Sequence, residues 1–126
     1  MSNNKQKMDI DNHQQFMDAI PRLNGQMLQN GKYTGVKISI VGKYLRTNTN
    51  DTTIQEFQAS DEYNFNVVLG TNSNWNGYKT KYIEIRGIVN KNGSVTQISC
   101  QEYGDNFPMK TWDKFVRLTH QYPALF

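Results

Sequence analysis

Disulfide-forming cysteines, long apolar runs and a strong net charge are all missing from this 126-residue sequence. Its single cysteine, Cys100, excludes an intramolecular disulfide framework and a zinc site built from several cysteines. No apolar run approaches the roughly 20 residues that a membrane helix needs, and the N-terminus lacks the profile of a secretory signal. The net charge of +3 is too small to identify an anionic partner. These absences predict a soluble intracellular protein of one domain.

Amide side chains supply much of the polar character, with 15 Asn and 10 Gln. Ile, Val, Leu and Phe total 28 of 126 residues, enough for one modest core. Residues 1–9 offer nothing to bury and are expected to form a disordered tail. An N-terminal extension, 10–34, is predicted to begin with a short amphipathic helical segment that Pro21 ends.

Apolar residues alternate through much of 35–104, which predicts a set of strands. The alternation slips by one residue at Val41, beside Gly42, and again beside Gly87. Such slips indicate β-bulges or sharply coiled strands. Five predicted strands, two of them with a mid-strand change of face, favour a small, strongly coiled β-barrel over an open sheet.

Asn92-Gly93 predicts a type I′ hairpin turn between the last two strands. In the strand that follows, Ile98 and Cys100 are expected to face inward. Cys100 is then a small core residue rather than a nucleophile, because burial raises the pKa of a thiol.

A C-terminal helix is predicted over 109–121, within a segment 108–122 bounded by prolines. On a helical wheel its apolar residues span about 180°, whereas covering one core needs little more than about 100°. These residues are Met109, Trp112, Phe115, Val116, Leu118 and Tyr122. The opposite sector holds Lys110, Asp113, Lys114, Arg117, His120 and Gln121. The excess width predicts that a partner, with a helix of its own, covers part of the apolar arc. The alternative is a wide barrel mouth that buries the whole arc.

Four stretches together resemble a known family. They are Pro21–Leu28 (P-R-L-N-G-Q-M-L), Val36–Leu45 (V-K-I-S-I-V-G-K-Y-L), Tyr82–Val89 (Y-I-E-I-R-G-I-V) and Leu118–Pro123 (L-T-H-Q-Y-P). In this order they resemble the small subunit of replication protein A, the eukaryotic single-stranded-DNA-binding heterotrimer. The resemblance extends over about residues 21–126. An Asn-rich loop at 71–77 and the polar N-terminus depart from the family pattern.

The resemblance implies a mainly β protein: a single OB-fold, which is a five-stranded Greek-key barrel, with a C-terminal α-helix. It implies a nuclear, structural subunit that joins two larger OB-fold subunits, the large and middle ones, through a three-helix bundle. Single-stranded DNA would then be bound mainly by those partners, in replication, repair, recombination or telomere maintenance. A telomere-capping or telomerase-associated trimer is an alternative assembly for the same kind of subunit.

Direct nucleic-acid contact is a separate hypothesis, because OB-folds stack bases on aromatic rings over a basic groove. The candidate residues are Lys43, Arg46, Trp75, Tyr78, Lys79, Lys81 and Arg86. The simpler interpretation makes them a solvated strand face and a loop aromatic folded back on the barrel. A second function class, a stand-alone OB-fold module for nucleic acid, depends on these residues rather than on the helix.

Catalysis is not expected. The two histidines, His13 and His120, are far apart in sequence, and no metal-ligand pair, nucleophile elbow or phosphate-binding glycine loop is present. We therefore expect no enzyme activity, no cofactor and no metal site.

Overall fold

The computed structural model describes residues 20–70 and 77–125. Within these ranges the secondary structure comprises six strands and two α-helices. In chain order they are β1 (Arg22–Leu23), α1 (Gly25–Gln29), β2 (Lys37–Thr47), β3 (Ile54–Ala59), β4 (Asn64–Val68), β5 (Tyr82–Val89), β6 (Val95–Glu102) and α2 (Met109–Gln121). A 3-10 turn at Pro123–Leu125 follows α2. The predicted tail, 1–9, and nearly all of the predicted helical segment, 11–20, lie outside the described residues.

Five of the strands close into a barrel. β2, β3 and β4 form an antiparallel meander, β4 pairs in parallel with β6, and β6 pairs antiparallel with β5. The pairing of β5 with β2 completes the ring. This is the five-stranded Greek-key arrangement of an OB-fold. The short strand β1 lies outside the ring and adds to β2 in parallel.

Strand β2 belongs to both sides of the barrel. Its first half pairs with β5 and its second half with β3, and Gly42 is in register with both Ala59 and Ile83. A Cβ atom on Gly42 would lie 3.0 Å from the ring of Phe65 and 3.1 Å from that of Phe57. Glycine therefore lets the strand cross the packed aromatic rings. The predicted sharp coil is at this position, while the bulge lies further on, between Tyr44 and Arg46.

The core is built from the inward positions of the strands. Phe57, Phe65, Val67, Ile83 and Ile85 are all at most 4% exposed, as their alternation with polar neighbours predicts. Burying a large apolar side chain of this kind contributes about 1.5–3 kcal/mol.

A short N-terminal segment closes one end of the barrel. Leu23 of β1 and Leu28 of α1 belong to the same core cluster. Asn24 caps α1 by accepting a hydrogen bond from the Met27 N–H, at 3.1 Å. This helix was not predicted from the sequence.

The β5–β6 hairpin is present, but its turn is not type I′. Gly93 has φ +85°, whereas Asn92 does not have positive φ. The Gly93 N–H donates to the Asn90 carbonyl, at 3.0 Å, and the Asn90 N–H donates to the Ser94 carbonyl, at 2.8 Å. These bonds fit the longer hairpin loop in which glycine follows a type I turn.

The prediction that Ile98 and Cys100 face inward was wrong. Ile98 is 55% exposed and Cys100 is exposed. The reason is a bulge opposite Arg86 and Gly87: Arg86 pairs with Ser99 and Gly87 with Gln97, so Ile98 is the extra residue. Ile98 is therefore left unpaired and exposed, whereas Cys100 is exposed although it is in register with the buried Ile85. Partial burial still raises the pKa of the Cys100 thiol, and the Glu102 charge adds to this effect.

Candidate partner and nucleic-acid interfaces

Helix α2 is attached to the barrel through a buried carboxylate. Asp113 is 7% exposed, and its Oδ1 accepts hydrogen bonds from Asn24 Nδ2, at 3.1 Å, and from Ser60 Oγ, at 2.9 Å. The other oxygen, Oδ2, pairs with Nε of Arg117 on the next turn of the helix, at 2.8 Å. The carboxylate thus joins the helix to α1 and to the end of β3.

A second attachment lies two turns further along α2. The Nε2 atom of His120 donates to the Arg22 carbonyl, at 2.6 Å, and its Nδ1 is 3.4 Å from the Tyr33 hydroxyl. Between the two attachments Val116 is fully buried. Asp113, Val116 and His120 therefore form the inner face of α2.

The inner face corrects the predicted division of the helix. On the helical wheel Asp113 and His120 fall in the polar sector, opposite the apolar arc. In the structure they contact the barrel, because Asn24, Ser60 and the Arg22 carbonyl offer hydrogen-bond partners there. Lys110, Lys114, Arg117 and Gln121 remain exposed, as their polar character predicts.

The predicted partner-binding residues divide into three groups. Val116 is buried within the domain, and Met109, Trp112 and Phe115 are half-buried. Leu118 is 42% exposed and Tyr122 is 51% exposed. Phe115, Leu118 and Tyr122 form what we call the outer face of α2, and Leu125 of the following turn is 76% exposed. The alternative in which the barrel buries the whole arc is therefore excluded.

Aromatic contacts connect the outer face of α2 to the barrel wall. The ring of Trp112 lies 5.1 Å from that of Phe115 and 5.6 Å from that of Phe107, measured between centroids. Phe107 in turn packs against Tyr103, at 5.1 Å. The Arg22 guanidinium lies 5.4 Å from the centroid of the Phe115 ring, a cation–π contact. The half-buried aromatics are thereby held in fixed positions at the edge of the exposed surface.

A buried acid lies on the barrel wall near this aromatic row. Glu84 is 7% exposed and accepts hydrogen bonds from Ser39 Oγ and from the Tyr103 hydroxyl, both at 2.7 Å, and from Arg86. Burial would raise the pKa of Glu84, but these hydrogen bonds and the Arg86 charge outweigh burial and hold the pKa below its ordinary value. Burial and the hydrogen bond to Glu84 raise the pKa of Tyr103 to about 12.

The predicted nucleic-acid residues do not form one surface. Trp75 lies outside the described residues. Tyr78 is half-buried and packs against the core, with its ring centroid 5.1 Å from that of Tyr44 and 5.3 Å from that of Phe57. Its hydroxyl donates to Gln97 Oε1, at 3.1 Å, and burial raises its pKa. These contacts cover part of the Tyr78 ring, so less of it is open to a stacking base.

The basic candidates are also dispersed. Arg46 forms an ion pair with Glu56, and Arg86 pairs with Glu84, at 3.1 Å. Lys43 is half-buried on β2, while Lys79 and Lys81 are exposed at the start of β5. Lys43 and Lys81 are near each other along the chain pairing, because Lys43 is in register with Tyr82, the residue after Lys81.

The described part of the chain holds neither a candidate metal-ligand cluster nor a candidate membrane-spanning helix. No group of three or more His, Cys, Asp or Glu residues there is arranged to hold a metal ion. None of the helices in 20–70 and 77–125 is long and apolar enough to cross a bilayer.

The sequence matches the family described as Replication factor A protein 3 over residues 13–126, which is most of its length. The chain belongs to that family. A comparison with curated protein sequences gives no match. The family assignment agrees with the resemblance found in the sequence and with the barrel-plus-helix architecture.

Several solved structures share the fold of this member of the Replication factor A protein 3 family. A chain in the structure of U. maydis replication protein A bound to single-stranded DNA superposes with a TM-score of 0.73 at 23% identity, covering 85% of this chain and 94% of that one. A chain of the S. pombe Stn1–Ten1 complex gives a TM-score of 0.63 at 12% identity, with 81% and 92% covered. The S. pombe telomere capping protein Ten1 gives 0.64 at 11% identity, with 81% and 98% covered. The OB-fold prediction is confirmed.

Proposed function

We propose that this chain is the small structural subunit of a heterotrimeric single-stranded-DNA-binding complex of the replication protein A type. The observation that carries the proposal is the outer face of α2. Leu118 and Tyr122 are exposed on a helix that is already attached to its own domain by Asp113 and His120. An apolar helix face left open in this way is suited to a partner helix. The partners are two larger OB-fold subunits, and the three helices form a bundle.

In this proposal most of the DNA affinity belongs to the partners. Tyr78 packs against the core, and Arg46 and Arg86 are engaged with carboxylates, so few of the predicted contact residues are fully available to DNA. The subunit acts by stabilising the assembly, in the nucleus, during replication, repair and recombination. It has no enzyme activity and needs no cofactor.

A second assembly is supported by a specific observation. Two of the superposed structures are an S. pombe Stn1–Ten1 complex and a telomere capping protein. A telomere-capping or telomerase-associated trimer would use the same helix face. The subunits that co-purify with the tagged chain from its own cells distinguish the two assemblies.

The test is a pair of substitutions on the outer face of α2. In the double variant Leu118→Ala/Tyr122→Ala, two exposed anchors are removed, each of about 2 kcal/mol at an interface. Together they weaken assembly by about a thousandfold, so the larger subunits are lost from the purified complex. The matched control is Lys114→Ala/Gln121→Ala, two exposed polar positions on the same helix, which retains both subunits.

Two results would contradict this function. One is a double variant at Leu118 and Tyr122 that still assembles while the circular dichroism spectrum of the barrel is unchanged. The other is a sub-micromolar Kd of the isolated chain for single-stranded DNA, with a steep salt dependence, in an anisotropy titration. The second result would identify a stand-alone OB-fold module instead.

A further inference from the structure

A pocket of about 230 Å³ lies on the barrel surface, away from helix α2. It is formed where β4, the β5–β6 turn and the end of α1 meet. Its polar lining consists of Gln29, Asn64, Asn66, Asn92 and Ser94, with Gly93 between the last two. OB-folds bind oligonucleotides and oligosaccharides on the face that includes this barrel strand and this turn.

The shape of the pocket depends on Gly93. The residue has φ +85°, and a Cβ atom there would lie 2.7 Å from the side-chain oxygen of Gln29. Glycine therefore allows the turn to approach α1 closely. Asn92 stabilises the turn through its Oδ1, which accepts from the N–H of Ser94, at 3.0 Å, and from its hydroxyl, at 2.6 Å.

Three carboxamides in the lining are not used by the fold. Within the described residues, the side chains of Gln29, Asn64 and Asn66 make no hydrogen bond to another protein group. Asn64 and Asn66 point outward from β4, because Phe65 and Val67 between and beside them are buried. The three belong to two elements that are far apart in sequence, and the fold brings them together.

The chemistry of the lining selects a neutral hydrogen-bonding ligand. No charged side chain lines the pocket. The ring of Phe65 is 4% exposed and stacks on Phe57, at 5.6 Å, so the pocket offers no ring face for stacking. A carboxamide presents one donor and one acceptor side by side, which matches the edge of a nucleobase and suits adenine best. Lys91, next to Asn92 in the turn, is exposed and supplies a cation for a phosphate.

We propose that this pocket binds the hydrogen-bonding edge of one unpaired base of single-stranded DNA, with adenine preferred. The inference rests on the proposed single-stranded-DNA function, but it is independent of assembly through α2. It assigns this subunit a direct contact with DNA at residues other than the predicted nucleic-acid contacts. The contact is weak in the isolated chain and contributes when the partners hold the strand nearby.

The test uses the side-chain NH₂ signals of the ¹⁵N-labelled full chain in NMR spectra. Hexadeoxyadenylate is titrated in, and the control ligand is an abasic hexamer with the same number of phosphates. The signals of Gln29, Asn64 and Asn66 are expected to move with the first ligand and to stay in place with the second. The variant Asn64→Ala/Asn66→Ala is expected to weaken binding about tenfold, whereas Asn106→Ala, an exposed amide outside the pocket, leaves it unchanged.

Several results would overturn the proposal. Equal shifts with the abasic hexamer would mean that only phosphates are bound, and shifts with maltohexaose instead of DNA would identify a saccharide site. If the double variant does not fold, as its backbone NMR signals would reveal, Gln29→Ala replaces it. Pocket variants that lose base binding but still assemble with the larger subunits would show that the pocket acts independently of the outer face of α2. An unmodified chain that binds the base but does not assemble with the larger subunits would contradict only the proposed subunit role.

Discussion

An ordinary amphipathic helix packs its apolar face on the protein and exposes its polar face to solvent. Helix α2 largely reverses this arrangement. The inner face is attached to the barrel by a carboxylate and an imidazole, Asp113 and His120, with Val116 between them. The outer face carries Leu118 and Tyr122 into solvent. The polar groups of the inner face need hydrogen-bond partners, and the domain supplies them. The apolar side chains of the outer face need no such partners. The domain can therefore hold its helix and still keep an apolar surface for another protein.

The difference implies that folding and assembly depend on separate residues. Substitutions on the inner face should lower the stability of the isolated chain. Substitutions on the outer face should affect only the complex. Three measurements on the isolated chain test this division, and a fourth concerns Glu84 on the adjoining barrel wall.

The largest effect is expected for Asp113→Ala. The change removes the acceptor of Asn24 and Ser60 in a buried position, and leaving such donors without a partner costs about 1–3 kcal/mol each. We expect the free energy of unfolding in urea to fall by about 3 kcal/mol. The control is Arg117→Ala, which removes only the exposed partner of the same carboxylate and should cost at most about 1 kcal/mol. Equal losses in the two variants would mean that the buried hydrogen bonds do not hold the helix.

The next effect concerns the barrel wall near the helix, at Glu84. Replacing it with Gln removes the charge that Ser39, Tyr103 and Arg86 stabilise, and we expect a loss of about 2 kcal/mol at neutral pH. Because the pKa of Glu84 is lowered in the folded state, its contribution is complete above the ordinary carboxyl pKa and is lost as the pH falls through the folded value. Urea unfolding between pH 7 and pH 3 should therefore show a smaller acid dependence for Glu84→Gln than for the unmodified chain. An unchanged acid dependence would rule out this role.

A smaller effect is expected for His120→Ala. The substitution removes the hydrogen bond to the Arg22 carbonyl and the contact with the Tyr33 hydroxyl at a partly exposed position. Its cost should be about 1 kcal/mol in the same urea measurement. Tyr33→Phe keeps the bond to Arg22, so it should cost less, and a larger loss for Tyr33→Phe would contradict the assignment of the main bond to Arg22.

The smallest effect is expected for Leu118→Ser. The side chain is 42% exposed on the outer face, so the isolated chain should lose no more than about 0.5 kcal/mol. A loss comparable to that of Asp113→Ala would show that the outer face contributes to folding, and the division between the two faces would not hold.

Periodicity predicted the parts of the fold in which neighbouring residues alternate. Phe65 and Val67 on β4 and the bounds of α2 are examples, since local sequence determines both. The outward direction of Ile98 could not be predicted, because the extra residue in β6 depends on its register with β5. Periodicity also suggested that α2 had more apolar surface than its own domain could cover.

The candidate sites were harder to predict because their residues meet only in the folded chain. Asp113 looks like a surface residue until Asn24, 89 positions earlier, is placed beside it. Tyr78 looked like a loop aromatic, but it packs against Tyr44 and Phe57 of other strands. The abundance of Asn and Gln was the one signal of the amide-lined pocket, and composition alone does not say which amides come together.

The spacing of the two attachments of α2 has a consequence for association kinetics and affinity. Asp113 and His120 are seven residues apart, so they fix the helix at two points about 10 Å apart along its axis. A helix fixed at two points keeps its orientation relative to the barrel. An incoming subunit therefore meets a surface that is already oriented. The entropy of ordering this helix is lost during folding of the small subunit rather than during docking, which leaves more of the contact energy for affinity.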